Sequence, residues 1–245
     1  MKFVQFLNES TDGYKKKISL EEAIDIAKKS KFDSKNMIFR GMGDSGDYLI
    51  IDGSKGGRNS ANTKNYYTLI LDELLKNTQY PLRSKSIICS TDKGAAQDYG
   101  DLYVIIPLEG STIGSTNHSD IWNMSFNALG TKDPMVDFND HYVTLEIKDK
   151  SYETIVKGLK SVADNDLSNF SYDSDLKYAA KEIKNVFKNE KTVEKDLATL
   201  YGSIIDQFTL HNPGDALKKN SEVWIGGPCL AVKFHIFMDE IFDEL

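Results

Sequence analysis

Apolar and polar residues alternate along this chain with two different periods, and the change from one to the other divides it. Leu20, Ala23, Ile24 and Ala27 recur at helical spacing behind Ser19 and Glu22, a capping-box pair, and lysines crowd the far end. A short run, Met37-Ile38-Phe39, predicts a strand that delivers Arg40 into the turn Gly41-Met42-Gly43. The glycine-rich polar stretch 43–62 is broken by Tyr48-Leu49-Ile50-Ile51 and leads into a helix with Tyr67, Ile70, Leu71 and Leu74 on one side. Beyond Pro81, residues 86–89 read as a strand whose exit carries Ser90, Thr91 and Asp92. A short helix over 93–99 closes at Gly100, and a buried strand follows over 102–107. Residues 142–147 alternate as a further strand.

From about 150 to 210 the period turns helical. Tyr152, Ile155, Val156 and Leu159 form one stripe; Leu176, Ala179, Ala180, Ile183 and Phe187 a second; Leu197, Leu200, Tyr201 and Ile204 a third. A turn-rich loop over 211–220 then precedes two last strands, 222–225 and 230–237, the latter with Leu230, Val232, Phe234 and Ile236 alternating. With no internal repeat, low-complexity tract or long linker, the expected architecture is one α+β domain over 1–245 carrying a helical insertion at about 150–210.

Composition refines this picture without redirecting it. A hydrophobic share of 40% and a charged share of 27% belong to an ordinary globular chain that folds without staples. The two cysteines, Cys89 and Cys229, sit in apolar runs without metal or disulfide-framework spacing and read as reduced core thiols. The four histidines show no ligand spacing, so no metal is expected. No run approaches the ~20 apolar residues of a membrane span, and the N-terminus lacks a secretory layout, so a cytoplasmic protein is expected. A net charge of −7 disfavours broad adhesion to nucleic acid or anionic membrane, although lysines 15–17, 28, 29 and 31 make one basic cluster.

Three polar sites stand at the edges of apolar strands, where a sheet can aim a side chain: Arg40 after Met-Ile-Phe, Ser90-Thr91 after Ser-Ile-Ile-Cys, and Glu222 before Val-Trp-Ile. Singly, each suits a turn, a helix cap or a solvated strand start. Their order, and the segments Ile38-Phe39-Arg40-Gly41, Ile88-Cys89-Ser90-Thr91-Asp92 and Asn220-Ser221-Glu222-Val223-Trp224-Ile225, resemble the arginine-serine-glutamate ADP-ribosyltransferases of bacterial toxins and phages. That resemblance implies a split mixed or antiparallel β core with surrounding and inserted helices, and NAD as co-substrate. It implies an activity in which ADP-ribose passes to a macromolecular acceptor and nicotinamide is lost.

By the same resemblance Glu222 faces the ribose anomeric carbon, where a carboxylate stabilises an oxocarbenium-like transition state. Arg40 offers its donor fork to the cofactor phosphates, and Ser90 and Thr91 buttress the site. Gly41 holds the nicotinamide amide through its backbone, Tyr99 and Tyr66 stack on the ring, and Asn220 and Ser221 end the loop that meets the acceptor. Two positions depart from the family. Asp92 replaces the third residue of the Ser-Thr-Ser element and suits a helix cap, and Asn220 stands where arginine-modifying members carry a second Glu. The loop over 58–67 and Arg83 could also touch the dinucleotide, or be ordinary polar surface. The acceptor is expected to be a host protein ahead of RNA or DNA bases, with an antitoxin or inhibitor as a possible partner; the start of the chain resembles those of many tailed-phage proteins. A catalytically silent binding or virion protein is the rival reading.

Overall fold

The computed structural model describes residues 14–30, 32–43, 45–57, 65–119, 121, 134–165 and 173–245. It is an α+β protein that separates into two compact units: 1–62 with 75–123 and 207–245, and 63–74 with 124–206.

The first unit is built on a nine-stranded sheet whose neighbouring pairs are all antiparallel. In chain order the strands are β1 (Tyr14–Lys17), β2 (Ile38–Met42), β3 (Tyr48–Asp52), β4 (Ile87–Ser90), β5 (Asp101–Pro107), β6 (Thr112–Ser115), β7 (Thr209–His211), β8 (Glu222–Gly226) and β9 (Pro228–Lys233). Their order across the sheet is β1-β3-β9-β5-β2-β4-β8-β6-β7. A single register pair, Phe39 opposite Ser90, joins β2 to β4 and forms a seam between a five-stranded and a four-stranded half. The edge strand β1, Tyr-Lys-Lys-Lys, is exposed at all four positions, and β7 stands at the other end of the described sheet.

Side chains alternate across each strand, so the two faces have different cores. One face gathers Ile38, Met42, Leu49, Ile51, Ile87, Cys89, Tyr103, Ile105, Ile113, Val223, Ile225, Cys229 and Ala231. All of these are strand residues from both halves, and all are buried. The opposite face of the larger half, with Phe39, Val104, Ile106, Leu230 and Val232, is covered by α1 (Leu20–Lys29) and by the C-terminal residues Phe237 and Ile241. The Ser19–Glu22 capping box forms and Ala23 and Ala27 are buried, as the spacing predicts.

The second unit is helical: α2 (Tyr66–Leu75, all but its last residue), α4 (Pro134–Thr144), α5 (Tyr152–Asp164), α6 (Ser174–Val186) and α7 (Val193–Ile205). The three predicted stripes are its core, with Ile155, Leu159, Ala179, Ala180, Ile183, Phe187, Leu197, Leu200 and Tyr201 all buried.

Two expected strands are corrected. Residues 142–144 end helix α4, because Phe138 and Tyr142 are four apart and pack as a helical pair with ring centroids 5.7 Å apart. Strand β9 stops at Lys233, and from Phe234 the chain is helical through α8 (Phe234–Ile236) and a π turn at Phe237–Ile241. Phe237 and Ile241 are the buried members of that last turn, again at a spacing of four, so the alternation Phe234-Ile236 misleads. The short strands β1, β6 and β7 carry too few apolar residues to announce themselves. Among the described residues no helix is long and apolar enough to cross a membrane. Both cysteines are buried and unbridged.

Candidate active site

Register places Ser90 opposite Glu222 on β4 and β8, and Phe39 opposite Ser90 on β2. These three share one face of the sheet. Arg40, one residue on, projects to the other face with Ile38 and Met42, and its guanidinium Nη1 donates to the Ile88 carbonyl. Arg40 is 5% exposed, and its charge is felt by Cys229 and by Lys15. The polar segments named above therefore do reach three neighbouring strands, but only Ser90 and Glu222 look the same way.

Glu222 is 6% exposed and densely bonded. Its Oε1 accepts from Arg83 Nη1 at 2.8 Å and from Trp224 Nε1 at 2.6 Å; its Oε2 accepts from the Ile121 backbone N–H at 3.0 Å. The Arg83 guanidinium also lies over the Trp224 ring, 5.1 Å from its centroid, and Phe208 meets that ring edge-on at 4.8 Å. Two side chains thus hold the candidate carboxylate: Arg83, which the sequence offered as a contact to the dinucleotide or as polar surface, and Trp224, which it did not single out. The available signal was Arg83 itself, a basic residue placed just before an apolar strand, and the i,i+2 spacing that puts Trp224 on the same face as Glu222. The backbone of Glu222 is fastened too: its N–H donates to His118 at 2.6 Å and its carbonyl accepts from Thr116 N–H at 3.0 Å.

Thr91 works on the loop that leads into Glu222. Its hydroxyl donates to the Lys218 carbonyl at 2.9 Å and accepts from Ser221 N–H at 2.9 Å, while its own N–H donates to the Ser221 carbonyl at 3.0 Å. Ser90 Oγ accepts from Asp92 N–H, and Asp92 caps α3 (Lys93–Gln97) by accepting from Gly94 and Ala95 N–H. Asp92 therefore serves the helix, as its side-chain type suggests. Asn220 takes φ +55°, the left-handed region that asparagine tolerates, and so turns the chain into β8. Ser221 is fully buried behind it. Replacing Thr91 by Val removes both side-chain bonds of this clamp at nearly constant shape, with an expected cost of about 1–2 kcal/mol. Limited proteolysis should then cut residues 212–220 faster than in the unaltered protein, and an unchanged cutting rate would show that the clamp does not order the loop.

The remaining candidates are dispersed. A side chain on Gly41 would meet the Ala96 carbonyl at 2.1 Å and Tyr99 at 2.9 Å, so the close approach that glycine permits there is that of α3. Tyr99 beside it is 49% exposed. Tyr66 lies in the helical unit, fully buried, donating to Asn139 and packed 4.3 Å from Tyr142. Of the loop residues 58–67, those at 58–64 fall outside the described residues. At the start of the 211–220 loop, His211 Nε2 bonds Ser115 Oγ at 2.7 Å, and burial lowers the pKa of the imidazole against an opposing pull from Asp215. A cavity of about 30 Å³ near that loop, lined by Ile38, Ile105, Ile113, Asn212 and Asp215, has room for water and not for a dinucleotide. Among the described residues no group of His, Cys, Asp and Glu could hold a metal ion.

The arrangement presents a fixed, buried carboxylate beside a serine hydroxyl at the end of a clamped loop. No protein-family model matches the chain, and no curated protein or solved structure does.

Proposed function

We propose that this protein is a mono-ADP-ribosyltransferase that moves ADP-ribose from NAD to a macromolecular acceptor, with Glu222 as the charged group at the breaking bond. The reading rests on one observation above all: Ser90 and Glu222, distant in sequence, stand directly opposite on neighbouring strands. It takes the antiparallel α+β core as the split core of that enzyme family, the seam at Phe39 and Ser90 marking the split. In the reaction the bond between the nicotinamide nitrogen and the ribose anomeric carbon breaks, and its electron pair leaves with nicotinamide. The acceptor forms a new bond at the same carbon and gives its proton to solvent. A carboxylate held beside that carbon stabilises the positive charge that develops on it, and a hydroxyl neighbour such as Ser90 orients the ribose. Thr91 holds the loop that would meet the acceptor. Such an enzyme would work in the cytoplasm of a bacterial or phage-infected cell, on a host protein ahead of nucleic acid.

Incubation with NAD labelled in the adenosine, followed by separation of lysate protein, RNA and DNA, tests this. Nicotinamide release with label in the protein fraction is expected; label in RNA or DNA would reassign the acceptor, and no release of nicotinamide in any mixture would refute the activity.

A second reading, a catalytically silent binding protein, is favoured by the burial of Glu222 and the occupation of both its oxygens. On that reading the carboxylate is a structural counter-ion and nicotinamide is never released.

A further inference from the structure

The guanidinium on the Glu222 face of the sheet belongs to Arg83, whereas Arg40 points the other way. Arg83 and Glu222 are both buried, with side-chain exposures of 8% and 7%, and pair at 2.8 Å. A carboxylate paired so closely presents a dipole to a developing cation in place of a full negative charge, and the attraction falls off accordingly. Glu222 therefore cannot stabilise an oxocarbenium-like carbon well while Arg83 holds it. A planar guanidinium, however, binds phosphate oxygens with the same bidentate geometry that it uses for carboxylate. The Trp224 ring beneath it provides a surface along which it can slide without losing all of its packing.

We propose that Arg83 is an exchange residue: counter-ion to Glu222 in the substrate-free protein, and ligand to the dinucleotide's phosphates once NAD enters. This inference rests on the transferase reading. Arrival of the pyrophosphate would draw the guanidinium from Oε1 and leave the carboxylate charged at the moment the glycosidic bond is in place. Substrate binding and activation of the carboxylate would then be one event. The Trp224 N–H remains on Oε1 throughout and keeps the side chain aimed, which makes Trp224 a positioning residue.

Trp224 is also the reporter. The chain has two tryptophans, so 15N-tryptophan labelling gives two indole N–H signals, and Trp122→Phe assigns them. Titration of ADP-ribose, and separately of inorganic pyrophosphate, into the full chain should shift the Trp224 signal saturably. Arg83→Lys keeps the charge and the fold but lacks the fork. Its KM for NAD should rise on the order of tenfold with kcat much less affected, and pyrophosphate should no longer shift Trp224. Should Arg83→Gln also fold, it should show the same loss. The proposal is overturned if wild-type protein turns over NAD while ADP-ribose leaves the Trp224 signal unmoved, or if Arg83→Lys retains the wild-type KM. Absence of NAD turnover together with absence of ADP-ribose binding would instead remove the transferase reading on which the proposal stands.

Discussion

Glu222→Gln should reduce nicotinamide release at least a hundredfold, on the order of 3–4 kcal/mol of transition-state stabilisation, as loss of a preorganised charge at a reacting centre does elsewhere. The substitution keeps the side chain's shape, and the amide oxygen can still accept from Arg83 and Trp224 where Oε1 does now, while the amide NH2 takes the place of Oε2 opposite the Ile121 N–H. What disappears is the charge, together with the acceptor of the Ile121 N–H, while the shape is kept. Glu222→Asp makes the complementary test: the charge stays but retreats by one methylene, and a reaction that depends on position should suffer nearly as much. Initial rates of nicotinamide release, taken with near-ultraviolet circular dichroism to verify packing around Trp224, decide the matter. Turnover that persists in Glu222→Gln would identify the carboxylate as a structural counter-ion.

The second large effect is on stability. Removing either partner of a buried ion pair strands the other, at a typical cost of about 3–5 kcal/mol, whereas replacing both by apolar residues of similar volume is often close to neutral. Arg83→Met and Glu222→Leu should each lower the urea midpoint strongly, and the double variant should regain most of what the singles lose. Trp224 fluorescence is a suitable probe, since its ring touches both Arg83 and Phe208. Additive losses in the double variant would mean that the two residues act independently and that the 2.8 Å contact carries little energy. Activity in these variants should separate from stability, because Arg83→Met leaves the carboxylate charged while Glu222→Leu does not.

Much of the fold could be read along the chain where local pattern and tertiary packing agree. Helix α1 announced itself through Ser19, Glu22 and the Ala23–Ala27 face, and the strands bearing Arg40, Ser90 and Glu222 through short β-branched or aliphatic runs. Pattern failed where two periods are compatible with the same few residues. Tyr142 looks alternating with its downstream neighbours, yet its partners are Phe138 one turn back and Tyr66 from another helix. Phe234 and Ile236 continue the rhythm of β9 although the chain has already turned helical to bury Phe237 and Ile241.

For the candidate site, the sequence carried the right segments but not their orientation. Only register shows that Phe39, and not Arg40, lies in the row of Ser90 and Glu222. Nor can local spacing show Arg83 reaching Glu222, because 139 residues separate them and the pairing depends on β4 lying beside β8. Tyr66 illustrates the reverse case: an aromatic with apparent binding chemistry is spent entirely on the interior of the helical unit.

The outermost strand has a consequence for how the molecule behaves at high concentration. A sheet that ends in a bare strand offers unpaired backbone groups to any extended chain that drifts past, and this is how fibrils grow. Among the described residues β1 is one such edge, four residues long, and three of them are lysines. A second copy adding itself at this edge through its own β1 would have to bring its ammonium groups against these, so the repulsion guards that edge of the sheet.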